Sequence, residues 1–157
     1  LYIVKDEVLG KSTSPFLPSY FDLKSHISKD SMLNTPPVFS VYVAMLNLKN
    51  LLASGGVKTK ELENNAKAAL LYNEIDSNPL FEGTAAQEDR SKMNLTFLLK
   101  DEALKTEFDK MWQGAEIVGL PGHRSVGGYR ASMYNALSIE SVKVLVNVMQ
   151  ELKRTKG

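Results

Sequence analysis

The run Met93-Asn94-Leu95-Thr96-Phe97-Leu98-Leu99 constrains this chain more than any other stretch. It is too short to stand as a helix and close to continuously apolar, so it reads as a central strand covered on both faces. A covered strand needs other elements around it. At 157 residues the chain is long enough for one domain that buries roughly two-thirds of its unfolded surface.

Helical periodicity starts after Thr35-Pro36-Pro37, where Val38, Val41, Tyr42, Met45, Leu48 and Leu52 recur until Ser54-Gly55-Gly56 stops them. Thr35 is the expected N-cap, with proline tolerated in the first turn. A second helix is expected to open at Thr59 and to turn Leu62, Ala66, Ala69 and Leu70 to one face before Asn78-Pro79 ends it. Leu80-Phe81 reads as a strand, and Asp101 as the cap of a helix carrying Leu104, Phe108, Met111 and Trp112. Short strands are expected near Glu116-Ile117-Val118 and over Tyr129 to Tyr134. Ser138 caps a last helix whose face is Ile139, Val142, Leu145, Val146, Met149 and Leu152. The order α-α-β-β-α-β-β-α predicts an α/β domain of the α+β type, a small mixed or antiparallel sheet covered by helices.

Residues 1–35 differ. They hold the β-prone Leu1-Tyr2-Ile3-Val4, with no initiator Met, and then the polar stretches Ser12-Thr13-Ser14-Pro15 and Ser28-Lys29-Asp30-Ser31, too loop-like to build a core. The expectation is a truncated chain, with a loop-rich remnant of a larger domain at 1–35 and a small domain over 36–157.

Several function classes are disfavoured at once. Cysteine is absent, which removes thiol catalysis and Cys-based zinc sites and fits a reducing compartment. No apolar run approaches the ~20 residues of a membrane helix, and the first residues lack a signal-peptide pattern, so a cytoplasmic protein is expected. Lys plus Arg number 19 against 18 Asp plus Glu, and a net charge of +1 gives no reason to expect a nucleic-acid partner. Any charge-based function must be local.

The local candidate is Gly122-His123-Arg124-Ser125-Val126-Gly127-Gly128-Tyr129-Arg130-Ala131-Ser132. Glycines let backbone turn tightly and approach a ligand, and guanidinium forks match carboxylate and phosphate oxygens. His123 and Arg124 are adjacent and Arg130 lies beyond a Gly-Gly pair, so two acidic groups of one ligand could be met from separate positions. The alternative is surface or ion-paired arginines on a glycine-shaped turn. Asn34-Thr35-Pro36-Pro37 offers a second anion candidate through the Asn34 amide and the Thr35 hydroxyl, although on residues alone it reads as an ordinary helix start. Arg90-Ser91-Lys92 reads as a solubilising step into the strand, His26 as a surface loop residue without a partner, and Met45, Met111, Met133 and Met149 as core filler.

These segments occur in a specific order: Ser31-Met32-Leu33-Asn34-Thr35-Pro36-Pro37 with Phe39-Ser40-Val41-Tyr42, then Arg90-Ser91-Lys92-Met93-Asn94, then Gly122 through Ala136. Together they closely resemble the phosphoserine aminotransferase family over essentially the whole chain, in register. The resemblance implies the C-terminal domain of a fold-type I pyridoxal-phosphate enzyme. Such an enzyme is a homodimer that moves an amino group between glutamate and 3-phosphohydroxypyruvate to give O-phosphoserine. It implies that Arg130 binds the substrate carboxylate, and that His123 and Arg124 bind the substrate phosphate in the neighbouring subunit's site. Asn34 and Thr35 would contact the cofactor phosphate across the dimer interface, in place of the bare helix start.

One departure matters. The family's Schiff-base lysine lies in a Gln-Lys-Asn segment, and no Gln-Lys-Asn occurs here. The segment alone is therefore expected to be inactive, with no catalytic residue of its own. Pro121 stands where the family commonly has Lys, a minor change for substrate binding. The rival readings are a non-catalytic domain that binds a small anionic metabolite through the same arginines, and an RNA-binding module, against which the near-neutral charge argues.

Overall fold

A computed structural model of the chain describes residues 1–11, 14–124 and 127–157. Ser12 and Thr13 of the Ser-rich stretch, and Ser125 and Val126 of the Gly-rich segment, lie outside the described residues. The chain divides into two compact units, Leu1–Asn50 and Leu51–Gly157.

The first unit carries 3-10 turns at Asp6–Val8 and Ser19–Phe21, the short helix α1 (Leu23–Ile27) and most of α2 (Val38–Ala53). Asp22 caps α1, its carboxylate accepting from the Lys24 N–H at 3.1 Å. His26 lies in α1 with Nε2 2.7 Å from the Tyr20 carbonyl oxygen, which corrects its reading as a partnerless loop residue. Thr35 does not cap α2. The helix begins at Val38 because each proline disfavours helical backbone at the residue before it, so Thr35 and Pro36 stay outside. No residue of α2 is buried, and Val38, Leu48 and Leu52 are 67%, 61% and 74% exposed. The apolar periodicity is real, but its residues stay exposed.

In the second unit, α3 (Gly56–Ser77) opens before the expected Thr59. Gly55 and Gly56 take φ of 96° and 73°, a region glycine enters freely, and the Thr59 hydroxyl donates to the Gly55 carbonyl at 3.0 Å. The inward face is also different from the expected one. Asn64, Lys67, Ala68, Leu71, Glu74 and Ile75 are buried, whereas Leu62 is 70% exposed. Three polar side chains point inward because each finds partners there.

Strands β1 (Phe81–Gly83), β2 (Asn94–Leu99) and β3 (Tyr129–Ser132) form one antiparallel sheet in the order β1-β2-β3. The central position of β2 is as expected, but its coverage is one-sided. Leu95, Phe97 and Leu99 are buried, while Asn94, Thr96 and Leu98 form a partly exposed outer row. After β2, the Asp101 carboxylate accepts from the Ala103 N–H at 2.9 Å and opens a 3-10 turn leading into α4 (Lys105–Gly114). The strand expected at Glu116-Ile117-Val118 is absent. Its backbone closes the end of α4 instead: Ile117 N–H donates to the Trp112 carbonyl at 3.1 Å, and Glu116 sits at φ 58°.

The last helix, α5 (Ile139–Lys156), is capped as expected by Ser138, whose hydroxyl accepts from the Ser141 N–H at 3.2 Å. It buries Val142, Leu145, Val146, Met149 and Leu152 against the core, a face of the period expected for a helix lying on a sheet. Helices thus line one face of the sheet, around an aromatic cluster. Phe81 and Phe108 meet edge-on at 5.2 Å between centroids, Phe97 stacks on Tyr129 at 5.4 Å, and Phe108 meets Tyr129 edge-on at 4.9 Å. Asn78, buried at the end of α3, donates to the Glu74 carboxylate at 2.7 Å, and Gln150 of α5 donates to the other Glu74 oxygen at 2.9 Å. These bonds account for the polar residues on the α3–α5 contact.

Candidate functional site

Alternation along β3 decides where Arg130 points. Tyr129 and Ala131 are buried, so Arg130 and Ser132 belong to the opposite, outer face of the sheet. There Arg130 lies across from Thr96 and Ser132 across from Asn94, with the Ser132 hydroxyl donating to Asn94 Oδ1 at 3.0 Å. The Arg130 guanidinium is exposed and forms no ion pair with any described residue. Its backbone is held firmly: the N–H donates to the Leu120 carbonyl at 2.7 Å, on the edge away from β2.

That bond begins a hairpin. Pro121 bridges Tyr129, Gly122 N–H donates to the Gly128 carbonyl at 2.8 Å, and Gly127 N–H donates to the His123 carbonyl at 2.8 Å. His123 and Arg124 therefore sit at the hairpin tip and Arg130 at its base. Both tip side chains are exposed. Two of the glycines are sterically required. A Cβ on Gly122 would lie 2.1 Å from the Gly127 carbonyl oxygen, and one on Gly128, at φ 62°, would meet Leu98 Cδ2 at 2.4 Å and the Phe97 carbonyl oxygen at 2.7 Å. The segment thus presents cations from two levels of one hairpin, as an elongated ligand with two acidic ends would need.

Behind β3 stands a polar network that the sequence did not point to. The Tyr129 hydroxyl donates to Asp109 Oδ1 at 2.9 Å, Trp112 Nε1 donates to the same oxygen at 2.9 Å, and Lys105 Nζ lies 3.5 Å from Oδ2. Burial works to raise the Asp109 carboxyl, but the donors from Trp112, Tyr129 and Lys105 outweigh it and hold it below the ordinary value. Burial, and then Asp109, push the Tyr129 phenol well above its ordinary value, so it remains a donor. Beside this strand a cleft of about 500 Å³ opens between residues 115–120, β3 and the start of α5. Arg130, Ser132, Glu116 and Ser141 line it together with Leu120, Val142 and Leu145, so polar and charged residues share its wall with apolar ones.

Arg90 is not the solubilising surface residue expected. Its guanidinium holds Asp76 through two bonds of 2.7 Å and lies 4.5 Å from the centroid of the Tyr72 ring. Tyr72 in turn donates to the Ser91 carbonyl at 2.9 Å. The bonds from Arg90 keep the Asp76 carboxyl below its ordinary value. Arg90 is therefore committed to fastening the loop before β2 onto α3 and is not available to a ligand.

Asn34 and Thr35 belong to the first unit, in the turn ahead of α2. Both are exposed, and neither side chain has a hydrogen-bond partner among the described residues. No single helix among the described residues is long and apolar enough to cross a membrane.

Comparison with known proteins identifies the family. Residues 4–145 match the family described as Aminotransferase class-V. The phosphoserine aminotransferase of Flavobacterium psychrophilum is 60% identical over 153 residues, covering 98% of this chain and 43% of the relative. That of Porphyromonas gingivalis is 52% identical, covering 96% of this chain and 42% of the relative. Among solved structures, phosphoserine aminotransferase from Bacillus circulans subsp. alkalophilus superposes with a TM-score of 0.81 at 40% identity, covering 90% of this chain and 39% of that one. The pyridoxal-phosphate-bound enzyme from Trichomonas vaginalis gives 0.75 at 36% identity, covering 87% and 39%. The chain spans about 43% of the length of the curated relatives it matches. With the matched family running through α2, the sheet, the Gly-rich hairpin and into α5, the chain belongs to the class-V aminotransferases.

Proposed function

We propose that this chain works as the C-terminal, substrate-gripping part of a cytoplasmic, homodimeric phosphoserine aminotransferase that moves an amino group between glutamate and 3-phosphohydroxypyruvate. In this reading residues 1–35 belong to the large cofactor-binding domain and residues 36–157 to the small one. Arg130 takes the carboxylate shared by the amino-acid and keto-acid partners. His123 and Arg124, at the hairpin tip, take the phosphate in the neighbouring subunit's site. The observation that carries the reading is Arg130 itself: exposed on the open face of the sheet, without an ion pair among the described residues, and with its backbone fixed by Leu120.

The uncommitted amide of Asn34 and hydroxyl of Thr35 fit two contacts to the phosphate of pyridoxal phosphate, while Pro36 and Pro37 bring no N–H to it. When bound, the cofactor supplies an electron sink for charge developing at the substrate Cα. This chain's own residues bind and orient. A guanidinium at the carboxylate fixes that end of the substrate, and His123 and Arg124 at the phosphate fix the other, so that the reacting carbon is held between them. Because the Gln-Lys-Asn segment is absent from the sequence, the proton shuttle is assigned to the remainder of the complete enzyme.

A coupled transamination assay with glutamate and 3-phosphohydroxypyruvate, run on the complete enzyme beside the 157-residue chain with saturating cofactor, tests the proposal. Activity in the complete enzyme alone is expected. In that enzyme Arg130→Lys keeps the charge but loses the fork, and KM for both glutamate and phosphoserine should rise about tenfold or more, the scale of one hydrogen bond to a charged group. Unchanged KM values would remove Arg130 from the carboxylate site.

A further inference from the structure

Lys67 is among the most completely buried side chains of the chain, at 2% exposure, and the reading above gives it no part. Its ammonium is 3.3 Å from the Met133 carbonyl oxygen, 2.9 Å from that of Tyr134 and 3.0 Å from that of Leu137. No carboxylate among the described residues is bonded to it. Three converging carbonyls require three donors, which an ammonium has and a neutral amine lacks. The group is therefore held charged by backbone dipoles, even though burial pushes its proton affinity below that of an ordinary lysine. Asn64, one turn earlier on α3, reinforces the same place by donating to Asn135 Oδ1 at 2.8 Å.

The clamped segment, 133–137, leaves β3 immediately after Ser132. On the other side of Arg130, the Tyr129 hydroxyl is tied to Asp109 of α4. The strand that carries Arg130 is thus fastened at both ends by side chains from two different helices.

We infer that Lys67 is a positioning residue for Arg130, its ammonium locking the turn after β3 so that the guanidinium meets the substrate carboxylate in one fixed pose. The inference rests on the proposed role of Arg130. Without the clamp, the buried Met133 carbonyl and the part-buried carbonyls of Tyr134 and Leu137 lose their donor, the turn moves, and a displacement of the order of 1 Å at a binding group weakens binding roughly 10- to 100-fold.

The test uses the complete enzyme. Lys67→Met keeps the length of the side chain and removes its donors. Glutarate, a dicarboxylate without phosphate, and inorganic phosphate serve as inhibitory probes of the two ends of the site. Lys67→Met should raise the glutarate Ki and the KM for glutamate about tenfold or more, with kcat at saturation and the phosphate Ki each within about twofold. Added to Arg130→Lys it should produce little further change, because the two act through one group.

A variant that lowers melting temperature but leaves the glutarate Ki unchanged, or that raises both inhibition constants equally, overturns the inference. If Lys67→Met yields no folded enzyme, Asn64→Ala decides: a smaller rise confined to glutarate supports the clamp, and no change overturns it. The underlying reading fails separately, through Arg130→Lys leaving the glutarate Ki unaltered.

Discussion

Removing one hydroxyl, by Tyr129→Phe, tests how β3 is held from behind. The ring stays where it is, stacked on Phe97 and edge-on to Phe108, so no apolar burial is lost. What goes is a 2.9 Å bond to an ionised carboxylate, a type of bond worth roughly 1.5–3 kcal/mol. The lower end applies, because Asp109 keeps Trp112 and Lys105 and its side chain is 30% exposed, which lets water take up part of the vacancy. The expected loss is about 1.5 kcal/mol, or roughly 3–6 °C in Tm for a chain of this size.

Equilibrium urea unfolding followed by Trp112 fluorescence is a direct assay, since the chain has one tryptophan and it is bonded to the same carboxylate. The pH dependence has a definite sign. Asp109 titrates lower in the folded than in the unfolded chain. Its stabilisation is therefore present above the unfolded carboxylate value near 3.9 and is lost as pH falls through the folded value. Wild type has more to lose than the variant, so the gap between them should narrow on acidification from pH 7. A difference under about 0.5 kcal/mol at pH 7, the scale of a neutral surface change, would refute the reasoning. So would a gap that holds constant through the acid range.

Two further outcomes follow from the same geometry. Asp76→Asn should cost about 1 kcal/mol in urea unfolding, because Asp76 is 40% exposed although Arg90 is mostly covered, and a cost near zero would mean that the fork does not fasten the loop. Gly122→Ala should raise KM for phosphoserine in the complete enzyme roughly tenfold while changing Tm of this chain little. Its Cβ meets the Gly127 carbonyl and the Gly128 backbone and so displaces the hairpin tip, and unchanged KM would detach the tip from phosphate binding.

What was legible in the sequence is what depends on near neighbours. Ser138 and the five buried apolar residues of α5 stand at fixed helical offsets, and the run at β2 carries its own alternation. On α3 apolarity alone does not mark the inner face: Leu62 is exposed while Leu70 is only partly buried against the core. There the buried face includes Asn64, Lys67 and Glu74, whose partners Asn135, Leu137 and Gln150 are distant in sequence. Arg90 departs from its expected surface role for the same reason, since nothing near it in sequence announces Asp76 and Tyr72 as its seat. In the Gly-rich segment the residue types pointed to anions. The division between tip and base was not legible, because it depends on Leu120 and Gly122 pairing across the hairpin and on Thr96 of another strand.

The uncovered row on α2 bears on how this chain behaves in a tube. Val38, Val41, Tyr42, Leu48 and Leu52 present oily surface to water, and a net charge of +1 offers almost no mutual repulsion between copies. Colloidal stability of the isolated polypeptide is therefore limited by exposed apolar side chains such as these rather than by its well-packed sheet. Light scattering should rise with concentration while the spectrum of the core stays native, and charged replacements along α2 should lower it.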